Sequence, residues 1–342
     1  MLELKSLEKA NRVLFSIPLR PVQGDRFQPT GFPSLGAATY QTREGQKLLV
    51  ESAQSMANRL ETVCWDTANN KPIKCLDGIS HVTVTRKGGF LTDSMLEAHR
   101  INSPYLLESK KDPAFFAQLK AALGGLEEGP IDRKKLAEVL FNLDIGSLIH
   151  GVFLAKKDLA GGRLRIARAL SAFIEASNVR IAASGGVKND HVHPGKVDGD
   201  PKNHFGNIPF SRDEFVADAI VCHVNLDLAQ IRGYGLAQDA EQLLILLALH
   251  RLRLLLDGDL RLRTACDLEP VDREKVVACR PDGFELPSVT DLEGAVKAAI
   301  QKCSAAMTHT TVKFEDELKK AKDAGTSTDD DDSDDADVES EE

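Results

Sequence analysis

No apolar run in this chain reaches the length needed to cross a bilayer, so no membrane partner is expected. The opening residues Met1-Leu2-Glu3-Leu4-Lys5 lack the charged-then-apolar layout of a secretory signal, and a cytoplasmic location is the expectation. The six cysteines (Cys64, Cys75, Cys222, Cys266, Cys279, Cys303) contain no C-x-x-C pair. That argues against a zinc ribbon and for reduced, mostly buried thiols, and nothing in the spacing suggests a disulfide framework. The Gly-x-x-x-x-Gly-Lys-Ser/Thr spacing of a P-loop is missing. No clustered carboxylates stand at a metal-ligand spacing, so no catalytic set for phosphodiester hydrolysis emerges. No internal repeat is present. Positive charge is also short, with 43 Lys and Arg against 52 Asp and Glu, a net charge of −9. The deficit is local, because residues 323–342 hold eleven acids and no base, leaving 43 basic and 41 acidic residues in the rest. A near-neutral body with local basic clusters fits a subunit that makes a few contacts per copy with a long ligand, rather than a lone nucleic-acid domain.

What is present is a mixed α and β pattern. Residues 12–19 alternate as an opening strand, and residues 20–45 read as an extended polar loop. His81-Val82-Thr83-Val84-Thr85 is a strand. Ser94-x-x-Glu97 fits a capping box at a helix start, and 113–123 and 132–142 are amphipathic helices. Residues 66–160 thus read as a mostly helical insertion in a β-α core. A further amphipathic helix is expected over 164–176, with Arg163, Arg165 and Arg168 at its start. Residues 179–184 and 216–228 read as strands, flanking a polar excursion over 189–212. Residues 241–256 form the most apolar helix. Residues 260–268 and 276–279 are candidate strands, and Thr290-x-x-Glu293 opens a last helix. From residue 324 the composition is that of a disordered acidic tail.

The most informative segment is Leu49-Val50-Glu51-Ser52-Ala53-Gln54-Ser55-Met56-Ala57-Asn58-Arg59-Leu60-Glu61. A strand ending at Val50 feeds directly into a helix with Met56, Leu60 and Val63 on one side. The first helical N–H groups lack intrahelical partners, and the dipole there favours an anion. Ser52, Gln54, Ser55, Asn58 and Arg59 around that end could cradle a phosphate. The plainer reading is a Ser52 cap on a core helix.

Other clusters carry similar alternatives. Arg20, Gln23, Arg26 and Gln28, interleaved with Phe27 and Phe32, suit backbone contact plus base stacking, or else a loop pinned by its Phe residues. His99, Arg100, Asn102 and Ser103 suit RNA or subunit contact, or a helix end neutralised by its own cations. Ser184-Gly185-Gly186-Val187-Lys188-Asn189 offers unobstructed N–H groups beside a cation, or a close backbone approach. His191, His193 and His204 stand at no recognised metal-ligand spacing, so no metal is expected. Asp190 has no paired acid beside it, and Asp257-Gly258-Asp259 reads as a turn.

The Ser-x-Gln-Ser-x-x-x-Arg junction resembles that of the seventh Cas family, the crRNA-binding backbone subunits of the RAMP superfamily. The resemblance continues in residues 20–33, 91–105, 183–190 and 206–215, and spans roughly 11–270. Together these blocks resemble the backbone subunit of a subtype I-G (formerly I-U) CRISPR Cascade. The resemblance implies an α+β fold, a modified RRM-like (ferredoxin-like) palm. It implies one RNA-binding domain over 1–314, with the 66–160 insertion and a projecting β-hairpin thumb in 189–212, then a helix end and tail over 315–342. It implies a non-catalytic subunit without cofactor that binds crRNA, pairs with target DNA through it, and stacks with further copies of itself. Other Cascade subunits and a recruited helicase-nuclease would be further partners. Arg20, Arg26, Gln54, Ser55, Asn58, Arg59, Arg100, Lys188 and Asn189 are the expected RNA contacts. The alternative is a RAMP-type endoribonuclease that processes CRISPR transcripts.

Overall fold

Alternating apolar residues give the chain its central strand, β1 (Arg12–Pro21), which buries Val13, Phe15, Ile17 and Leu19. The computed structural model describes residues 4–32, 36–126, 129–189, 191, 207–258 and 260–317. In chain order there follow β2 (Thr39–Thr42), β3 (Gly45–Glu51), α1 (Ala53–Thr62), β4 (His81–Arg86), β5 (Gly89–Asp93), α2 (Ala114–Leu123), α3 (Arg133–Leu143) and α4 (Gly146–His150). Next come β6 (Leu170–Ser177), β7 (Arg180–Lys188), β8 (Ile208–Val216), β9 (Ala219–Asp227), α5 (Gln238–Asp257), β10 (Leu260–Arg263), β11 (Cys266–Pro270), α6 (Val289–Cys303) and β12 (His309–Lys313). The fold class is therefore α+β.

Seven strands form one sheet in the order β10-β11-β1-β9-β6-β3-β2, and every neighbouring pair is antiparallel. Four of its five inner strands, β11-β1-β9-β6, are met along the chain, with two helices among them, as β1, α1, β6, β9, α5, β11. Helix α1 packs on β6 and touches α5, and α5 lies along α6. The apolar stretch of α5 buries Leu243, Leu244, Leu247 and Leu249 in the core. A second, three-stranded sheet joins β5, β4 and β12, with β12 parallel to β4 from His309 opposite His81. The segment after residue 280 is thus part of the core, through α6 and β12.

Several local expectations change. The helix expected over 164–176 is instead a short strand, Leu164–Ile166, followed by β6. Leu170, Ala172, Ile174 and Ala176 bury every second side chain, and ladder partners wait on both edges in β9 and β3. Sheet context overrides the helical spacing of a short window. The predicted capping box at Ser94 opens no helix. The Ser94 hydroxyl oxygen accepts the Val82 N–H at 3.0 Å, and Glu97 accepts from the hydroxyls of Thr92 and Ser103. The last helix starts earlier than Thr290, capped by Ser288, whose hydroxyl oxygen accepts the Asp291 N–H at 3.2 Å. Residues 66–160 are β in their first part, and their α-helices fall within 104–150. The loop expected over 20–45 contributes the edge strand β2.

Strands β7 and β8 pair in continuous register from Arg180 opposite Val216 to Lys188 opposite Ile208. They form a two-stranded ribbon anchored by the Phe27–Phe215 bridge. The hairpin expected at 189–212 overlaps the second arm, while residues 190 and 192–206, with His193 and His204, lie outside the described residues. Gly185 and Gly186 lie within β7 rather than in a phosphate-binding turn. A Cβ on Gly185 would stand 2.7 Å from the Phe210 carbonyl oxygen, so close strand approach accounts for that glycine. Residues 318–342, which include all of the acidic tail expected from 324, also lie outside the described residues. Among the described residues, no helix is long and apolar enough to cross a membrane. All six cysteines are unbridged, and only Cys279 is exposed.

Candidate nucleic-acid interface

The strand-to-helix junction forms as its spacing requires, but its anion is internal. Ser52 caps α1, its hydroxyl oxygen accepting the Ser55 N–H at 3.2 Å. The Glu51 carboxylate is buried beside the helix start and accepts the Ser55 hydroxyl and the Arg59 Nε–H, the latter at 2.8 Å. Arg263 from β10 pairs with the same carboxylate. The remaining Arg59 donors meet the carbonyls of Arg261 and Leu262. Ser55 and Arg59, four residues apart on one helical face, are thus committed within the protein. Gln54 and Asn58, the same spacing one step round, open onto a groove instead.

That groove has a volume of about 2000 Å³. Along its wall stand Gln54 and Asn58, then His99 and Asn102, Arg133 of α3, and Arg163, Arg165 and Arg168 on and beside the short strand Leu164–Ile166 before β6. Arg133, Arg165, Arg168 and His99 are exposed, and Asp227 is the carboxylate on the lining. Asp227 is itself occupied, capping the helix Leu228–Gly233 and pairing with Arg12. The field inside is therefore positive. Arg163 is tied by the carbonyls of Ala160, Leu126 and Gly129. Arg133 and Arg165 form no ion pair among the described residues, and so are free to meet an anion.

Beneath the groove lies a buried charge cluster. Arg100, at 6% exposure, grips Glu61 through both ends of its guanidinium, at 3.0 and 2.6 Å, and donates to the Gly151 carbonyl. Arg251 is fully buried and acts on Glu61 and Asp144 through its charge. Burial pushes the Glu61 and Asp144 carboxyls upward, against the pull of these cations. His150 sits at the groove floor with neither ring nitrogen hydrogen-bonded among the described residues. Burial, then the charges of Arg251, Arg100 and Arg168, holds its pKa well below the ordinary 6.5. Below that value the unfolded chain takes up a proton that the folded chain refuses, so stability present above it is lost as pH falls. Relative to a His150→Leu variant, wild type should lose about 1.4 kcal/mol per pH unit below 6.5. Urea unfolding at about pH 7.5 and about pH 5.5 measures this, on either side of the ordinary imidazole pKa, and an unchanged difference would mean that the imidazole protonates in place.

The other expected contacts are scattered. Arg20 is exposed and pairs with Glu269 at 2.9 Å. Arg26 is exposed and meets Glu214 at 3.7 Å. Phe27, open in the sequence to base stacking or to pinning its loop, is wholly buried and pins the loop. Lys188 ends β7, and Asn189 is exposed beyond it. Arg100 borders the groove but Glu61 engages its guanidinium, so a phosphate contact there would break a buried pair.

Residues 13–181 match the family described as CRISPR-associated protein GSU0053 (Cas_GSU0053). Over that stretch the chain is similar to CRISPR-associated proteins. The match covers β1 to the start of β7, and so includes Gln54, Asn58, Arg133 and Arg165. Two solved structures show a likeness. A chain of a CRISPR RNA-guided surveillance complex, pre-nicking, shares 11% identity over 70% of this chain and 67% of its own, at a TM-score of 0.36. The Csc2 protein of Thermofilum pendens shares 10% identity over 85% and 76%, at a TM-score of 0.32. Scores of that size do not define a shared fold. No curated protein matches the chain.

Some of the residues that build this site are not visible to sequence reasoning. Arg133 reads in the sequence only as part of a helix, and Arg163, Arg165 and Arg168 only as a crowded helix start. Their density is the available signal. Arg263 and Arg251 give none, since each takes its role from a carboxylate far away in sequence.

Proposed function

We propose that this chain is a non-catalytic, RNA-binding subunit of a CRISPR Cascade. The groove carries the reading. It is larger than the about 300–1,000 Å³ of ordinary small-molecule sites, its ionic lining is mostly cationic, and it lies largely within the stretch similar to CRISPR-associated proteins. Arginines with Gln and Asn suit a phosphate backbone gripped without regard to sequence, leaving base edges free to read a target. The chain order β1, α1, β6, β9, α5, β11, on strands ordered β11-β1-β9-β6, supports the RRM-like (ferredoxin-like) palm. The ribbon β7–β8 supports a thumb rooted at 180–188 and 208–216. Gln54, Asn58, Arg133 and Arg165 hold the crRNA, with Arg20, Arg26, Lys188 and Asn189 as outlying contacts. Copies stack along the crRNA beside the other Cascade subunits, and a helicase-nuclease is recruited to the assembly on target DNA, all as in subtype I-G.

The test is nuclease footprinting of labelled crRNA with the full chain, read for protection and for cleavage in one experiment. Evenly spaced protection with intact RNA is the expected outcome. Specific cleavage of repeat RNA by the purified protein would establish the endoribonuclease instead.

A further inference from the structure

A second site lies away from the groove, among elements that the RNA reading does not use. Three donors meet there from three distant parts of the chain. Cys75 comes from the one-turn helix Lys74–Leu76, His250 from the middle of α5, and Glu293 from the first half of α6. One ligand atom from each lies within 4.8 Å of the other two. The Cys75 Sγ and His250 Nε2 are 3.7 Å apart. In a tetrahedral zinc site the ligand atoms stand about 3.5 Å from one another, given metal–ligand bonds of about 2.0–2.3 Å.

We infer that Cys75, His250 and Glu293 bind a divalent transition-metal ion, zinc by the character of the donors. Thiolate, imidazole and carboxylate together form a borderline-soft set that suits zinc over magnesium or calcium, which prefer oxygen alone. Two negative ligands balance the dication.

A second observation points the same way. His250 is fully buried, and its Nδ1 has no hydrogen-bond partner among the described residues. Its Nε2 meets only a thiol, a weak partner. A buried polar ring so poorly satisfied is costly unless something else uses it. A neutral imidazole carries one ring lone pair, and that is the pair a metal ion uses. An incoming metal ion forms its bond to sulfur by displacing the thiol proton to solvent. Cys75 and His250 are closed off, whereas Glu293 is half-buried and gives access from the surface. A water entering there would complete four ligands. Exposed Lys297, one turn beyond Glu293, is the cation that a metal must tolerate.

Such an ion would staple α6 and the 74–76 turn to α5, three elements brought together only by folding. The experiment uses the full chain, produced without a polyhistidine tag, and three measurements. Elemental analysis after gel filtration should give about one zinc per chain, falling at least tenfold in Cys75→Ala and Glu293→Gln. Cobalt added to metal-stripped wild type should produce a thiolate-to-cobalt charge-transfer band that Cys75→Ala lacks. Chelation should lower the melting temperature of wild type and leave that of Cys75→Ala unchanged. Wild type that carries no zinc and gives no thiolate band with cobalt would overturn the site, even if a variant misfolds. Zinc retained in full by Cys75→Ala would also overturn it, by placing the metal elsewhere.

Discussion

Replacing Arg100 with alanine should destabilise the fold by about 3–5 kcal/mol, the largest stability effect of any substitution near the groove. The side chain is buried, donates twice to Glu61 and once to the Gly151 carbonyl, and holds a carboxylate that has almost no access to water. Its removal leaves Glu61 facing Asp144 with Arg251 as the remaining cation, and Glu61 would respond by taking a proton. The loss should therefore shrink at low pH, where a neutral Glu61 costs less to bury. A paired change, Arg100→Met with Glu61→Gln, should cost less than the sum of its parts, because no charge is stranded. Urea unfolding of wild type, the two single variants and the pair measures the coupling. A single-mutant loss below about 1 kcal/mol would show that water reaches the cluster.

The second large effect concerns binding. Arg133→Ala combined with Arg165→Ala should weaken crRNA binding about tenfold or more at ~0.1 M salt. It should also reduce the slope of log affinity against log salt by about 1.4, or about 0.7 for each phosphate no longer neutralised. Both side chains are exposed on the groove wall and make no ion pair among the described residues, so their removal should leave the fold intact. Lys302→Ala serves as the control. It removes a positive charge from α6, away from the groove, where Lys302 pairs with Asp239. If the double variant keeps the wild-type slope, the groove does not carry the RNA. If Lys302→Ala weakens binding equally, net charge rather than the groove governs affinity.

Local chemistry is legible in the sequence where one segment decides its own structure. The alternation of 12–19, the cap at Ser52 and the apolar stretch of 241–256 each contain their own cause, and each forms. Legibility fails where a distant partner decides. Residues 170–177 carry spacing that both periods tolerate, and β9 and β3 select the strand. Ser94 looks like a cap until the Val82 N–H, twelve residues away, takes its hydroxyl. At the site, Gln54 and Asn58 of α1 face the groove, and residue type alone does not separate Ser55 and Arg59 from them. Only the direction in which each leaves the helix divides them, and Glu51 and Arg263 claim one side. Phe27 shows the same limit, since a ring in a polar loop reads as available until β8 is found bridged to it. Cys75, His250 and Glu293 are too far apart in sequence for any ligand spacing to be visible.

Glu51 also sets the order of events. An open helix start must recruit its anion from solution, and its neighbours remain loose until that happens. Here the chain supplies the carboxylate from the residue just before the cap, and two guanidinium groups clamp it before any ligand arrives. The direction of α1, and with it the outward reach of Gln54 and Asn58, is therefore fixed during folding rather than during association. The backbone entropy of placing those two residues is paid in advance, and a ligand entering the groove meets a helix already set in place.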